Sequence, residues 1–274
     1  MLNPVRLEQE KIETALNTAR QQAYLPFSLH LYETVNSTNQ TLWELLQNGA
    51  TSGTVVIATE QTAGRGQWGR QWLSQSGGLY ISTAIALTLD VINSYQLTFA
   101  TAWGITRQLQ KCNIPVGIKW PNDLILNQRK LGGILTETKI SGNKINRAVI
   151  GVGINWSNPV PDTGINLQSW QKLHHVTGIT NLENLATQVL LGIESGIECL
   201  LEKGIDILLP RYTNLLTNIG NSVYVENLLG TVIGVTSSGC LHVRMENSES
   251  KSVRTPDFYL QPGTISLGYS NSSN

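Results

Sequence analysis

What this chain lacks narrows its function before any motif is read. Its 274 residues carry 19 Lys+Arg against 19 Asp+Glu, so no net field draws in nucleic acid or an anionic membrane surface. Cysteine is scarce: Cys112, Cys199 and Cys240 stand far apart and are odd in number. That fits reduced thiols in a cytoplasmic protein, not a disulfide framework or a zinc site. The opening MLNPVRLEQEKIE has no apolar signal-peptide core, and no apolar run approaches membrane-spanning length. The phosphate-loop pattern G-x-x-x-x-G-K-[ST] is absent. Gly151-Val152-Gly153 matches only the start of the dinucleotide fingerprint, because Trp156 occupies the place of its third glycine. His174-His175 belongs to no metal-ligating spacing and reads as loop surface. No internal repeat is evident.

What is present reads as a mixed α/β chain. Gln9 to Gln22 has helical spacing, ended by Pro26. LHLYET suits a short strand, and Ser37 or Thr38 is a good N-cap for a helix to about Gln47 with Gly49 as its stop. GTVVIAT and LYISTAIAL read as strands, and Gln96 to Lys111 as an amphipathic helix packing through Leu97, Ala100, Trp103, Ile105 and Leu109. GIKWPNDLILNQRKLGGILTETKI gives three strands, turning at Pro121-Asn122-Asp123 and at Asn127-Gln128; Ser141 to Lys144 closes a hairpin onto INRAVIGVGINW. These hairpins predict a largely antiparallel sheet. Ser157 to Gly178 reads as loop, and Thr180 to Glu183 as a capping box opening a helix to about Lys203. From Ile219 to Pro262, short strands between Gly, Ser and Asn turns predict a small β-barrel, followed by a disordered tail SNSSN. The expected divisions are 1–27, 28–218, 219–262 and 263–274.

The chemistry gathers around EQTAGRGQWGRQW, Glu60 to Trp72. Gly64, Gly66 and Gly69 let a backbone turn and let a ligand approach, while Arg65 and Arg70 offer planar charged forks for a carboxylate or phosphate. Taken alone, the stretch reads equally as a glycine-rich surface hairpin with solvated arginines. Lys119-Trp120-Pro121-Asn122-Asp123, then Arg129-Lys130-Leu131-Gly132-Gly133, then Gly151-Val152-Gly153-Ile154-Asn155 add cations, a carboxylate, an amide and close-approach glycines to one sheet. Activation of a carboxylic acid by ATP needs such a set, because two repelling anions must meet and the charge on leaving pyrophosphate must be stabilised.

The ordered set Ser37-Thr38-Asn39, GRGxxGRxW, KWPNDL, RKLGGIL and GVGIN resembles the catalytic core of biotin–protein ligases, that is, biotin–[acetyl-CoA-carboxylase] ligases, over roughly Ser28 to Pro262. The resemblance implies an α+β catalytic domain related to class II aminoacyl-tRNA synthetases and lipoate ligases, with a mostly antiparallel central sheet and a small C-terminal SH3-like β-barrel. It implies that biotin and ATP form biotinyl-5′-AMP and pyrophosphate, and that a lysine of the biotin carboxyl carrier protein then displaces AMP. Carried onto matching positions, Ser37, Thr38, Asn39 and Gln61 would line the biotin pocket. The loop Gly64, Arg65, Gly66, Gln67, Trp68 to Gly69 would close over it, with Arg65 and Arg70 facing negative charge. Lys130 would bridge the biotin carboxylate and the α-phosphate. Asn122 and Asp123 would orient Lys130, the phosphates or Mg2+, with Asp123 the candidate metal ligand. Trp72, Gly132, Gly133 and Asn155 would shape the adenylate side.

Two departures from the family pattern stand out. Many members carry a basic residue straight after GRG, where this chain has Gln67 and then Trp68. The segment before Ser28 is too short for the helix-turn-helix domain of members that also repress biotin synthesis, so DNA is not an expected partner; a homodimer is allowed for. The other readings are a lipoate–protein ligase, a transcriptional regulator and a non-catalytic biotin- or nucleotide-binding module. Motifs KWPND and RKLGGIL weigh against the first, and zero net charge against the second.

Overall fold

The computed structural model describes residues 7–245, 257–265 and 267–268. The expected tail SNSSN lies outside them. α1 spans Gln9–Ala19, and its apolar positions Ile12 and Leu16 are buried. β1 (Ser28–Val35), α2 (Thr38–Gln47) and β2 (Thr54–Gln61) form a crossover unit whose two strands pair in parallel. β3 (Leu79–Asp90), α3 (Tyr95–Lys111), β4 (Gly117–Lys119), β5 (Asp123–Leu126), β6 (Arg129–Ser141) and β7 (Lys144–Ile154) follow. The seven strands lie in the order β1-β2-β3-β7-β6-β5-β4, antiparallel except at β1–β2. The hairpin turns fall where the sequence places them. Asn127 and Gln128 both take positive φ (49° and 59°), the two-residue turn that matches strand twist.

Both faces of the sheet are covered. α4 (Leu167–His174), α5 (Leu182–Lys203) and α6 (Ile205–Thr213) complete the helices. α3 and α5 pack closely: a Cβ at Gly104 would run into the carbonyl of Gly192, and one at Gly196 into that of Ala100. On the opposite face Leu42 and Leu46 of α2 close a second small core over Val56, Ala84 and Val149. The stretch read as loop holds α4, whose single pair of turns carries too short an apolar pattern to be seen. The cap of α5 is Asn181, whose side chain accepts from the Asn184 amide at 2.8 Å, in place of the expected Thr180–Glu183 box.

The C-terminal strands β8 (Ser222–Val225), β9 (Leu228–Val235), β10 (Leu241–Met245) and β11 (Asp257–Leu260) form a four-stranded antiparallel sheet, order β11-β10-β9-β8. Of the expected barrel, the described residues show this sheet alone: the outer strands β8 and β11 do not pair among them. The sheet is tied to the KWPND motif. The Trp120 indole N–H donates to the Gly239 carbonyl (3.0 Å), and the Trp120 amide to Asn218 Oδ1 (2.9 Å).

Candidate active site

A cleft enclosing about 1120 Å3, its open mouth included, runs across β6 and β7 beneath the glycine-rich segment. That segment is itself a hydrogen-bonded hairpin. Gln61 N–H bonds Ser74 O (2.9 Å), Trp72 N–H bonds Gly64 O (3.0 Å), and Gly66 N–H bonds Arg70 O (2.7 Å). Its tip is the single 3-10 turn Gln67–Gly69, with Trp68 at φ 54°. The Trp68 indole lies against Gly263, where a Cβ would meet the ring at 2.7 Å, and Ile265 and Leu267 line the cleft beside it. The segment expected to begin the tail is therefore part of the wall.

One end of the cleft is built for charge. Lys130 Nζ lies 2.6 Å from Asp123 Oδ1 and 5.2 Å from the Trp72 ring centre. A bulge sets this up: Leu124 pairs with Gly132 and Ile125 with Lys130, leaving Leu131 as the extra residue on β6. Such a residue reverses which side the next side chain faces, and Lys130 thereby joins Gly133 and Leu135 on the cleft face. Backbone bonds from Lys130 N–H to Thr163 O (2.8 Å) and from Ile165 N–H to Lys130 O (3.0 Å) fix the position. Lys119, counted among the cations of the sheet but given no role of its own, also lines the cleft and is only 8% exposed. Burial pushes its ammonium down to about 8; Asp123 works against that, while Lys130 and Arg70 add to it.

The other end is a polar floor. Ser37 is the N-cap residue of α2, yet its side chain makes no capping bond. Gln61 Oε1 takes that place, accepting from the Thr38 amide (2.8 Å) and the Thr38 hydroxyl (3.1 Å), while Gln61 Nε2 donates to Ser74 Oγ (2.7 Å). Ser82, fully buried on β3, bonds Thr38 Oγ1 (2.8 Å) and Asn39 Oδ1 (2.6 Å). Asn39 Nδ2 donates onward to Glu137 Oε2 (2.9 Å). The two glycines of GVGIN explain themselves here. A Cβ at Gly151 would strike the Asn39 amide, and one at Gly153 the Trp72 indole. They leave a flat strand on which those two groups lie, not a phosphate loop.

Ser37, Thr38, Asn39, Gln61, Arg65, Gly66, Gln67, Trp68, Arg70, Trp72, Asn122, Asp123, Lys130 and Gly133 all line the cleft. Three expected residues do not. Gly64 sits behind it against Ser74 and the Trp72 carbonyl, Gly132 lies against the Gly153 carbonyl, and Asn155 is buried with its Nδ2 on Lys130 O (3.4 Å). Asn122 reaches Ile134 O (2.8 Å) and so braces β6. Arg65 pairs with Glu137 (3.0 Å), and Arg70 lies over the Trp68 ring (5.6 Å). Ser82 and Glu137 are the residues sequence reasoning missed; single polar positions within strands carry no signal of their own. Two buried polar atoms at the cleft, Gln67 Oε1 and Trp72 Nε1, have no hydrogen-bond partner among the described residues, the state of groups that a ligand completes. As for a metal, no cluster of three or more His, Cys, Asp or Glu side chains exists among the described residues. Among the described residues Asp123 is the one carboxylate in the cleft lining, a set that fits Mg2+ carried mainly by ligand phosphates.

Residues 31–155 match the model of the biotin/lipoate A/B protein ligase family. The chain is 28% identical over 272 residues to the bifunctional ligase/repressor of Bacillus subtilis, covering 94% of this chain and 80% of that protein. It is 34% identical over 122 residues to the biotin–[acetyl-CoA-carboxylase] ligase of Paracoccus denitrificans, covering 43% of this chain and half of that one. Among solved structures, the fold superposes on biotin protein ligase from Aquifex aeolicus in complex with biotin and ATP with a TM-score of 0.65, at 24% identity over 85% of this chain and 99% of that one. Motif order, sheet and these relatives agree in likening the chain to the biotin–protein ligases, and its residues 31–155 match the biotin/lipoate A/B protein ligase family.

Proposed function

We propose that this protein is an ATP-dependent biotin–protein ligase that forms biotinyl-5′-AMP and transfers the biotinyl group to a lysine of the biotin carboxyl carrier protein of acetyl-CoA carboxylase. The observation that carries the reading is the division of one cleft into a hydrogen-bonding end and a cationic end. At the first, Ser37, Thr38, Asn39 and Gln61 suit the ureido ring, which has two N–H donors and one carbonyl; the dithiolane ring of lipoate has neither. At the second, Lys130 draws the biotin carboxylate and the α-phosphate together, offsetting their repulsion as the carboxylate oxygen attacks phosphorus and pyrophosphate departs. Asp123 holds the Lys130 ammonium in place. Arg70 at the hairpin tip and Lys119 from β4 add positive charge along the path of the phosphates. Mg2+, when bound with ATP, neutralises phosphate charge, and Asp123 is the residue that would hold it. Trp72 shapes the adenylate side of the floor and offers its indole N–H.

The acceptor lysine then attacks the acyl carbon of the mixed anhydride, and AMP leaves as the acyl–phosphate bond breaks. Asp123 is the carboxylate placed to take its proton. In this reading the catalytic unit spans about 28–218, and the C-terminal sheet is the SH3-like domain of the family. Among the described residues, the N-terminal segment supplies one helix, α1, whose buried face packs on α5.

Pyrophosphate release with biotin and MgATP, absent any acceptor, tests the reading, with lipoate run in parallel. Mass spectrometry should then find biotinyl-AMP bound to the protein. Release with lipoate and not biotin, or no release with either, refutes it.

A further inference from the structure

Glu137 stands on β6 opposite Val149 of β7, its side chain 26% exposed. Its two oxygens receive the hairpin and α2 together. Arg65 Nη1 lies 3.0 Å from Oε1 and Arg65 Nη2 3.0 Å from Oε2, a bidentate fork. Asn39 Nδ2 (2.9 Å) and Trp43 Nε1 (3.2 Å) also bond Oε2. Along the strand Glu137 is seven residues from Lys130, at most about 23 Å at about 3.3 Å per residue. The Arg65 guanidinium is thus held at the end of the cleft away from the Lys130–Asp123 pair.

We propose that Glu137 is a positioning residue: it clamps Arg65 and Asn39, fixing the glycine-rich hairpin over the polar end of the cleft, so that Arg65 serves biotin recognition and not the phosphates. The inference rests on the ligase reading and assigns two of its residues to one task. For Arg65 to swing to a phosphate it would have to abandon a bidentate partner and leave a half-buried carboxylate without its counter-charge. Without Glu137, the Trp43 indole N–H loses the carboxylate it bonds, and Asn39 Nδ2 keeps only a 3.4 Å contact to Leu135 O, leaving Ser82 on Oδ1 as the one short bond to this amide. Asn39 would then turn, taking with it the Ser82–Thr38–Gln61 series that shapes the floor. The carboxylate acts on substrate only through these neighbours.

The test is a double-mutant cycle with Glu137→Gln, Arg65→Ala and the pair, each confirmed folded by a cooperative thermal melt. Pyrophosphate release is titrated separately in biotin and in ATP, and amide hydrogen exchange is followed over residues 62–72. Each single variant should raise the KM for biotin about tenfold, the size of one charge-assisted contact, with the KM for ATP within about twofold and kcat little changed. Both should speed exchange in the hairpin, and the double variant should be no worse than either, because one clamp has been removed twice. A raised KM for ATP or a collapsed kcat in Arg65→Ala alone would overturn the assignment, and so would strictly additive effects. If the wild type released no pyrophosphate at all, the ligase reading would fail on its own. The clamp would still stand or fall on exchange, which unchanged rates in Glu137→Gln would rule against.

Discussion

Adding one methyl group at Gly151 should separate the polar floor of the cleft from its cationic end. A Cβ there would come within 3.0 Å of Asn39 Cγ and 3.2 Å of Nδ2, with Oδ1 nearer still. Asn39 has nowhere to retreat: it is 3% exposed and held by Glu137 on one side and Ser82 on the other. Overpacking of this kind costs roughly 1–3 kcal/mol, and a buried amide pushed off its partners costs about 1–3 kcal/mol more. Gly151→Ala should therefore lose about 3 kcal/mol of stability, moving the urea midpoint down by about 1 M or more. Biotin affinity, read by calorimetry, should fall at least tenfold. Gly153→Ala is the internal comparison. Its Cβ would meet the Trp72 indole edge between 2.5 and 3.2 Å, but that ring is partly exposed and its N–H is unpartnered. The ring can slide, at a cost of about 1 kcal/mol or less, with biotin affinity spared and pyrophosphate release slowed. In Asn39→Ala/Gly151→Ala the added methyl finds room, so stability should recover while biotin binding does not. Wild-type stability and biotin affinity in Gly151→Ala would refute the reasoning.

Lys130→Ala should lower pyrophosphate release by about a hundredfold or more, since one electrostatic contact to the transition state is worth about 3 kcal/mol; near-normal rates in a folded variant would remove Lys130 from the chemistry. Lys119 makes a pH prediction. Its folded-state value, about 8, lies below the ordinary 10.5, so the unfolded chain holds the extra proton between those values. The cost of burying the charge is thus fully present below pH 8 and disappears as pH rises toward 10.5. Relative to Lys119→Met, wild-type stability should climb by at most about 3 kcal/mol across that window, and parallel curves would contradict the burial argument. Gln67→Arg should slow dissociation of biotinyl-AMP several-fold in a filter-trap assay, because a charge-assisted contact is stronger than a neutral one; equal release rates would take Gln67 out of the lid.

The sequence made the strands and hairpins of the central sheet legible because their alternation and turn residues are local. Asn127-Gln128 and Ser141 to Lys144 form the turns expected of them. Legible too was the convergence of Lys130, Asp123 and the glycine-rich hairpin on one cleft. The rest was hidden for physical reasons. The extra residue at Leu131 is invisible in a run of apolar and glycine positions, yet it decides that Lys130 faces the cleft. Asn39 reads as a ligand-binding amide, but its partners Ser82 and Glu137 come from strands 43 and 98 positions away, where nothing local marks them. Ser37 holds the N-cap position, but a glutamine from β2 does the capping. Whether short C-terminal strands close into a barrel depends on pairing between β8 and β11, which local alternation cannot specify.

The tie between Trp120 and the C-terminal sheet has a consequence for anyone recombining this protein with its relatives. The strand end that presents Asp123 is secured by Asn218 and by a backbone carbonyl at Gly239, a residue at φ 103° seated against the Tyr95 ring. A graft that cuts the chain near 219 keeps the first anchor and discards the second. It also discards Ile265 and Leu267 from the wall of the cleft. A chimera joined there would thus fail in its adenylation step even if both halves folded. One whose foreign half still offers a carbonyl at that point and a glycine under Trp68 should work. The small sheet is free to drift in composition, but not in where its backbone meets one indole.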